Sequence, residues 1–154
     1  MYMKIETHQK VAEIEVSYRP SISNKPIIKT SLDSYTELIN FYSSETISLQ
    51  EKFIAMYVNR CNRVIGVYEL SKGGITWTVV DIRLLLSVAL KTVATSIILS
   101  HNHPSGNLKP SKQDIDLTQK IKAAAELMDI KVMDHIILGT NEFSYYSFAD
   151  EGIM

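Results

Sequence analysis

Residues 96–114 read SIILSHNHPSGNLKPSKQD and pass from an apolar run through a polar loop to a helix start. The run SIILS, residues 96–100, has the length and composition of a strand that is buried on both faces. Ser111-Lys112-Gln113-Asp114 has the S-x-x-D spacing of a helix start, and apolar residues at helical spacing predict a helix over Lys112–Met128. The stretch therefore predicts a buried strand followed by an amphipathic helix, a unit typical of α/β domains.

The rest of the chain shows strand and helix patterns on both sides of this unit. Alternating apolar residues predict strands, and apolar residues at helical spacing predict helices. The further predicted elements are a strand over 11–18, a helix over Ser31–Tyr42, strands over 52–58, 64–70 and 75–80, a helix over Ile82–Ala94, and strands over 132–139 and 142–148. We therefore expect an α/β fold with a single-domain mixed β-sheet flanked by helices over residues 31–154, preceded by an N-terminal strand and connector over residues 1–30.

Composition and charge exclude several classes of protein. The chain has 154 residues, of which 45% are hydrophobic and 21% charged, the balance of one soluble globular domain. A net charge of −1 gives no general attraction to nucleic acid or to an anionic membrane. The single cysteine, Cys61, excludes an internal disulfide and a cysteine-based zinc knuckle. No apolar run reaches the ~18 residues of a membrane span or forms a signal-peptide core, so we expect a cytoplasmic protein with no membrane association.

Two histidines follow the buried strand with one residue between them. Alternate residues of an extended chain point to the same face, so His101 and His103 are expected to face one point while Asn102 faces away. Ser111 and Asp114 taken alone are more typical of an N-cap and its capping-box partner than of a reactive site. The same first-turn carboxylate would also point towards the end of the preceding strand, where it completes a set of two histidines and one aspartate.

Such a ligand set suits zinc. Neutral imidazoles and a carboxylate bind Zn²⁺ tetrahedrally, and three protein ligands leave the fourth position for a water. Water bound to zinc ionises near neutral pH, which is the chemistry of metal-assisted hydrolysis. The sequence contains no H-E-x-x-H helix motif and no P-C-x-x-C, which excludes the zincin and nucleobase-deaminase types of zinc site.

The string HNHPSGNLKPSKQD, residues 101–114, resembles the JAMM motif of the JAB/MPN metalloprotease family, and in particular its RadC-like branch. The similarity continues through Asp116, Leu117 and Thr118 and into DHIILG at 134–139. Similar segments elsewhere are FIAMYVNRCNRVIG (53–66), Ala89-Leu90 and SFADEG (147–152), so that the resemblance covers Ser31 to Gly152. It implies a JAB/MPN, cytidine-deaminase-like architecture and a zinc ion held by His101, His103 and Asp114.

The resemblance also implies a catalytic mechanism. Glu51, which opens EKFIAMYV, stands where the family has an upstream glutamate that acts as general base and then as general acid. Glu69, at the end of the next strand, is the other candidate for this base. The Ser111 hydroxyl is implied to stabilise the developing oxyanion. The implied activity is that of a metallopeptidase or isopeptidase acting on a peptide or protein substrate.

Two features of the chain leave a rival function open. Full-length RadC-like proteins carry an N-terminal helical segment that resembles a DNA-binding unit, whereas residues 1–30 show a strand-like pattern and no basic cluster. The alternative to an enzyme is therefore an accessory module, associated with DNA repair or binding a partner, with a non-catalytic metal site. His135, on an apolar strand, is expected to be a hydrogen-bonded core histidine rather than a metal ligand, and Trp77 to pack on the sheet.

The predicted N-terminal strand, VAEIEVSY at 11–18, has one apolar face, and the connector after it is long enough to reach a neighbouring molecule. An unpaired sheet edge accepts a strand from its own chain or from a second copy. We expect a homodimer through this strand that becomes monomeric when residues 1–20 are removed, with metal binding unchanged. Light scattering that finds the full chain monomeric at micromolar concentration would contradict this prediction.

Overall fold

A single five-stranded sheet forms the centre of the protein in the computed structural model, which describes residues 11–20, 24–73 and 79–154. The elements in chain order are α1 (Ser31–Leu38), a 3-10 turn (Ile39–Phe41), β1 (Lys52–Val58), β2 (Val64–Lys72), α2 (Ile82–Lys91), β3 (Ser96–Asn102), α3 (Lys112–Glu126), β4 (Lys131–Leu138) and β5 (Tyr145–Ser147). The strand order is β2-β1-β3-β4-β5, with β3 parallel to β4 and the other neighbours antiparallel. The predicted mixed sheet flanked by helices is confirmed.

The hydrophobic core lies on both faces of the sheet, because the central strand β3 and its neighbour β1 alternate their side chains between two apolar layers. Phe53, Ala55 and Leu99 face α2 and α3 in one cluster. Ile54 and Ile98 face α1 in the other. Every residue of β3 is buried, as the run SIILS predicted. The end of β3 is therefore a fixed point at the middle of the sheet.

Several predicted elements end earlier or begin later than expected, and residues with positive φ lie at three of these boundaries. Val93 (φ 56°) follows α2, which ends at Lys91 rather than at Ala94. Asp129 (φ 54°) follows α3, which ends at Glu126. Phe143 (φ 55°) precedes β5, so the last strand begins at Tyr145. Left-handed backbone cannot continue a helix or a strand, and periodicity alone does not reveal it.

One predicted strand does not form, and another lies mostly outside the described residues. Residues 74–78, including Trp77, lie outside the described residues, and residues 79–80 are not in a strand. Residues 11–18 form no strand either, and Val11, Ile14 and Val16 are 73–87% exposed. An alternating pattern buries its apolar face only when it pairs with a sheet edge, and this segment pairs with none of the described strands. Its addition to a second molecule stays a prediction.

The packed part of the chain begins before α1. Ile27 forms an antiparallel bridge with Arg63, and the Ile28 backbone N–H donates to the Asn62 carbonyl at 2.8 Å. The Ile28 side chain is 2% exposed and belongs to the cluster beneath α1. Among the described helices, none is long and apolar enough to cross a membrane.

The last residue of β3, Asn102, fixes the loop that leads into β1. Its side chain is fully buried; its Oδ1 accepts from the Lys52 backbone N–H at 2.8 Å. Its Nδ2 donates to the carbonyls of Ile47 and Gln50 at 2.8 and 2.9 Å. The peptide group that joins Glu51 to Lys52 is held at its other end as well, because the Glu51 carbonyl accepts from the Gly73 N–H at 2.9 Å. Asn102 therefore positions the backbone of Glu51.

We expect Asn102→Ala to lower the free energy of unfolding by about 3 kcal/mol, because it leaves one N–H and two carbonyls, all partly buried, without their partner. Asn40→Ala is the matched control, since Asn40 is exposed and its side chain makes one hydrogen bond among the described residues, to the Thr36 carbonyl. That control should change the stability by less than about 0.5 kcal/mol. Urea unfolding followed by circular dichroism measures both, and equal effects would contradict the role given to Asn102.

Candidate metal centre

The three predicted metal ligands meet where β3 ends and α3 begins. The Nε2 atoms of His101 and His103 are 2.9 Å apart. Asp114 Oδ1 lies 3.2 Å from His101 Nε2, and Asp114 Oδ2 lies 3.5 Å from His103 Nε2. One ligand atom from each residue lies within 4.8 Å of the others, the spacing of a group that could hold a metal ion. The structure therefore brings the predicted set together around one point.

Local structure explains this convergence. His101 and His103 are two residues apart at the strand end and share the face that Phe53 and Leu99 occupy. Gly106, with φ +78°, turns the loop after them, and its N–H donates to the His103 carbonyl at 2.9 Å. The loop then enters α3, whose first turn carries Asp114 back to the histidines.

The capping box and the ligand set use the same carboxylate. Ser111 is the N-cap of α3, and its hydroxyl both accepts from the Asp114 N–H and donates to Asp114 Oδ2 at 2.7 Å. The Ser111 backbone N–H also donates to Oδ2, at 2.6 Å. Asp114 is therefore both the capping-box partner of Ser111 and a member of the ligand set, because capping fixes the carboxylate that faces the imidazoles.

The donor set fits a cation. The carbonyl of Asn107 can only accept a hydrogen bond, so the proton of neutral His103 sits on Nδ1, which faces that carbonyl. His103 Nε2 then presents a lone pair to His101 Nε2 and to the Asp114 carboxylate. Electron-pair donors at 2.9–3.5 Å repel one another unless a proton or a metal ion lies between them. A proton on one of the Nε2 atoms meets this condition through a hydrogen bond, and a metal ion meets it through coordination.

Electrostatics at this point favour positive charge. Burial alone would raise the pKa of Asp114, but hydrogen bonds to His101 and His103 hold it well below its usual range. Burial works against a charged His103, yet the hydrogen bond and the charge of Asp114 overcome it and raise the pKa of that imidazole. The cluster therefore takes up a proton readily when no metal is bound, and a metal must displace that proton.

Glu51 lies beside the cluster, and Glu69 is engaged elsewhere. Glu51 and Asp114 line one cavity of about 200 Å³, together with Phe53, Val79, Val80, Gln113 and Leu117. Burial raises the pKa of Glu51, and the nearby imidazoles oppose this rise only in part. Glu69 pairs with Lys52 at 3.2 Å, and the Lys52 ammonium also donates to the Phe41 carbonyl. Of the two predicted candidates for the base, Glu51 is the one that lines the cavity with Asp114.

Sequence reasoning did not connect two buried residues, His135 and Thr118, to the ligand His101. His135 is fully buried and hydrogen-bonded, as expected of a core histidine, but its partner at 2.8 Å is Nδ1 of His101. The other nitrogen of His135 lies 2.6 Å from the hydroxyl of Thr118, which is also fully buried. The two histidines meet because β3 and β4 lie side by side as a parallel pair. The register that places His135 opposite Leu99 was not predictable from the pattern.

Comparisons with known proteins assign the chain to a family. A family model described as "RadC-like JAB domain" matches residues 29–153. The chain is 50% identical to a UPF0758 protein of Flavobacterium johnsoniae over 103 residues, which are 67% of this chain and 44% of that protein. It is 37% identical to a UPF0758 protein of Porphyromonas gingivalis over 144 residues, which are 94% of this chain and 63% of that protein. The chain thus spans about half the length of the curated relatives it matches.

We expect the protein to bind one divalent ion at His101, His103 and Asp114, with an affinity that falls as the pH is lowered. The raised pKa of His103 means that protons begin to compete at a pH above the ordinary histidine value. Titration of zinc against a competing chelator at a series of pH values measures this dependence.

Two variants, measured in the same zinc titration, test which residues bind the ion. Asp114→Ala should abolish binding, whereas Cys61→Ser should leave it unchanged, because the only cysteine is exposed and outside the cluster. Binding that is independent of pH, or that survives Asp114→Ala, would contradict the assigned ligands.

Proposed function

Because the chain belongs to the RadC-like JAB domain family, we propose that it is a zinc-dependent hydrolase of a peptide or isopeptide amide bond. The observation that supports this most directly is the shared cavity, in which a carboxylate of raised pKa, Glu51, lies beside a metal-ligand carboxylate, Asp114. A purely structural metal site needs no such base.

His101, His103 and Asp114 are the residues that would hold the ion. Two imidazole nitrogens and one carboxylate oxygen match the ligand types of zinc, and three protein ligands are the number found in its catalytic sites. When bound, zinc supplies a water of lowered pKa and polarises a substrate carbonyl. The chain's own residues must then move the protons.

Glu51 is the proposed general base and acid. Its partial burial raises its pKa above that of an ordinary glutamate, which makes the carboxylate a stronger proton acceptor at neutral pH. It takes a proton from the attacking water and delivers it to the leaving amine. The backbone bonds from Asn102 and Gly73 hold the Glu51–Lys52 peptide group on both sides, so this base is positioned before substrate binds.

Ser111 has two roles in this proposal. Its hydroxyl caps α3 and donates to Asp114 Oδ2, which orients the ligand carboxylate. As the sequence resemblance implies, the same hydroxyl is the proposed donor to the developing oxyanion. That second role requires its proton to turn from Asp114 to the substrate during the reaction.

The cavity suggests what lies next to the scissile bond. Val79, Val80 and Leu117 form an apolar wall, while Gln113 adds an amide that can hydrogen-bond a substrate backbone. A peptide or protein substrate with an aliphatic group beside the cleaved amide fits this lining. The net charge of −1 offers no support for DNA as the partner, so the accessory DNA-repair module is the weaker alternative.

We expect zinc-loaded protein to cleave members of a mixed set of fluorogenic peptides and lysine-ε-linked peptides, and Glu51→Gln to lower that rate by about 10²–10⁴-fold. Zinc content and thermal stability of Glu51→Gln should equal those of the parent protein, because the side chain acts on the water rather than on the ion. Asp114→Ala should lose both activity and zinc.

Glu69→Gln is the matched control for this experiment, since it removes the other carboxylate without changing the cavity. A loss of activity in Glu69→Gln that equals the loss in Glu51→Gln would reassign the base. Zinc-loaded protein that cleaves neither peptide set faster than metal-free protein would contradict the proposed activity.

A further inference from the structure

His135 and Thr118 are two fully buried polar side chains that the proposed reaction does not use. They form a continuous series of short contacts that runs from the Asp114 carbonyl through Thr118 and His135 to His101. The distances are 2.6 Å, 2.6 Å and 2.8 Å in that order. Each contact in this series has one donor and one acceptor, and the donor in each contact can be derived from the contact before it.

The contact within α3 determines which group donates in all the others. Thr118 follows Asp114 by one turn of α3, and its hydroxyl lies 2.6 Å from the Asp114 carbonyl oxygen. A carbonyl has no proton to give, so a contact this short is favourable only if the Thr118 hydroxyl donates to it. The single proton of the hydroxyl is thereby committed, and towards His135 the Thr118 oxygen can only accept.

The tautomers of both histidines follow from this direction. His135 Nδ1 must carry a proton to donate to Thr118, so Nε2 of the neutral His135 ring presents a lone pair. That lone pair faces Nδ1 of His101, which must in turn carry a proton. Neutral His101 therefore has no proton on Nε2, the atom that lies 3.2 Å from Asp114 Oδ1.

Aromatic contacts keep the rings in this orientation. The Phe53 ring stacks on His101 with centroids 5.9 Å apart, and the Phe148 ring stacks on His135 at 4.6 Å. Rotation of either imidazole by half a turn would replace a nitrogen in the series with a carbon and leave a buried polar atom without a partner. The packing that fixes the ring planes of His101 and His135 therefore also fixes which of their nitrogens carry protons.

We propose that Thr118 and His135 are positioning residues that hold His101 in the Nδ1–H tautomer, so that its Nε2 lone pair is ready for a metal ion. The inference rests on the proposed function only in taking His101 as a metal ligand. It adds that α3 supplies both the ligand carboxylate of Asp114 and, one turn later, the hydroxyl that sets the tautomer. In the other tautomer an N–H would point at the metal position and would have to be moved before binding.

Nitrogen-15 NMR of the imidazole rings tests this directly, because protonated and unprotonated ring nitrogens differ widely in chemical shift. The measurement uses metal-free protein at a pH where the imidazoles are neutral, with the four histidines assigned by single substitutions. We expect His101 and His135 to be protonated on Nδ1 alone. A proton on Nε2 of His101, or a mixture of both tautomers, would overturn the proposal whether or not the protein cleaves an amide.

Matched variants test the consequence for the metal. Thr118→Val keeps the shape of the side chain and removes the hydroxyl, whereas Thr118→Ser keeps the hydroxyl. Thr118→Val should weaken zinc binding by about 10–100-fold and disturb the His101 tautomer, with Thr118→Ser close to the parent in both. His135→Gln should retain more affinity than His135→Leu, since an amide oxygen can still accept from His101 Nδ1.

The readouts separate this inference from the proposed function. Unchanged zinc affinity and an unchanged His101 tautomer in Thr118→Val would contradict the positioning role, even if the parent protein is an active hydrolase. The expected tautomers and affinities in a protein without hydrolytic activity would support the positioning role while contradicting the activity.

Discussion

Repulsion between electron-pair donors governs the centre of this protein. His103 Nε2, His101 Nε2 and the Asp114 carboxylate converge at distances of 2.9–3.5 Å, which is unfavourable unless a proton or a metal ion lies among them. Such an arrangement persists because rigid elements impose it. The buried strand β3 carries the histidines, the capped first turn of α3 carries the aspartate, and apolar layers on both faces of the sheet fix the two elements relative to each other.

The alternation of side chains along β3 divides two tasks between its faces. His101 and His103 face the metal position, while Asn102 between them faces the opposite side and binds the loop before β1. One strand end thereby fixes the ligands and, through the Glu51–Lys52 peptide group, the backbone of the proposed base. The short sequence His-Asn-His therefore positions both the metal ligands and the proposed base.

Much of this arrangement was predictable from the sequence because it depends on local patterns. The strand SIILS, the same-face histidine pair and the S-x-x-D helix start are all short-range signals, and the structure joins them as expected. Left-handed residues such as Val93 and Phe143, which bound the elements, have no such signal. The strand expected over residues 11–18 did not form, because an alternating pattern specifies a face but not a partner edge. The relation of His135 to His101 depends on the register between β3 and β4, which no local pattern encodes.

Anomalous diffraction at the zinc absorption edge from crystals of the zinc-loaded protein tests the central claim most directly. The account predicts one strong peak about 2.0–2.2 Å from His101 Nε2, His103 Nε2 and a carboxylate oxygen of Asp114, with a water as the remaining ligand and Glu51 beside that water. A peak elsewhere, a fourth protein ligand that closes the site, or coordination through Nδ1 of His101 would contradict it.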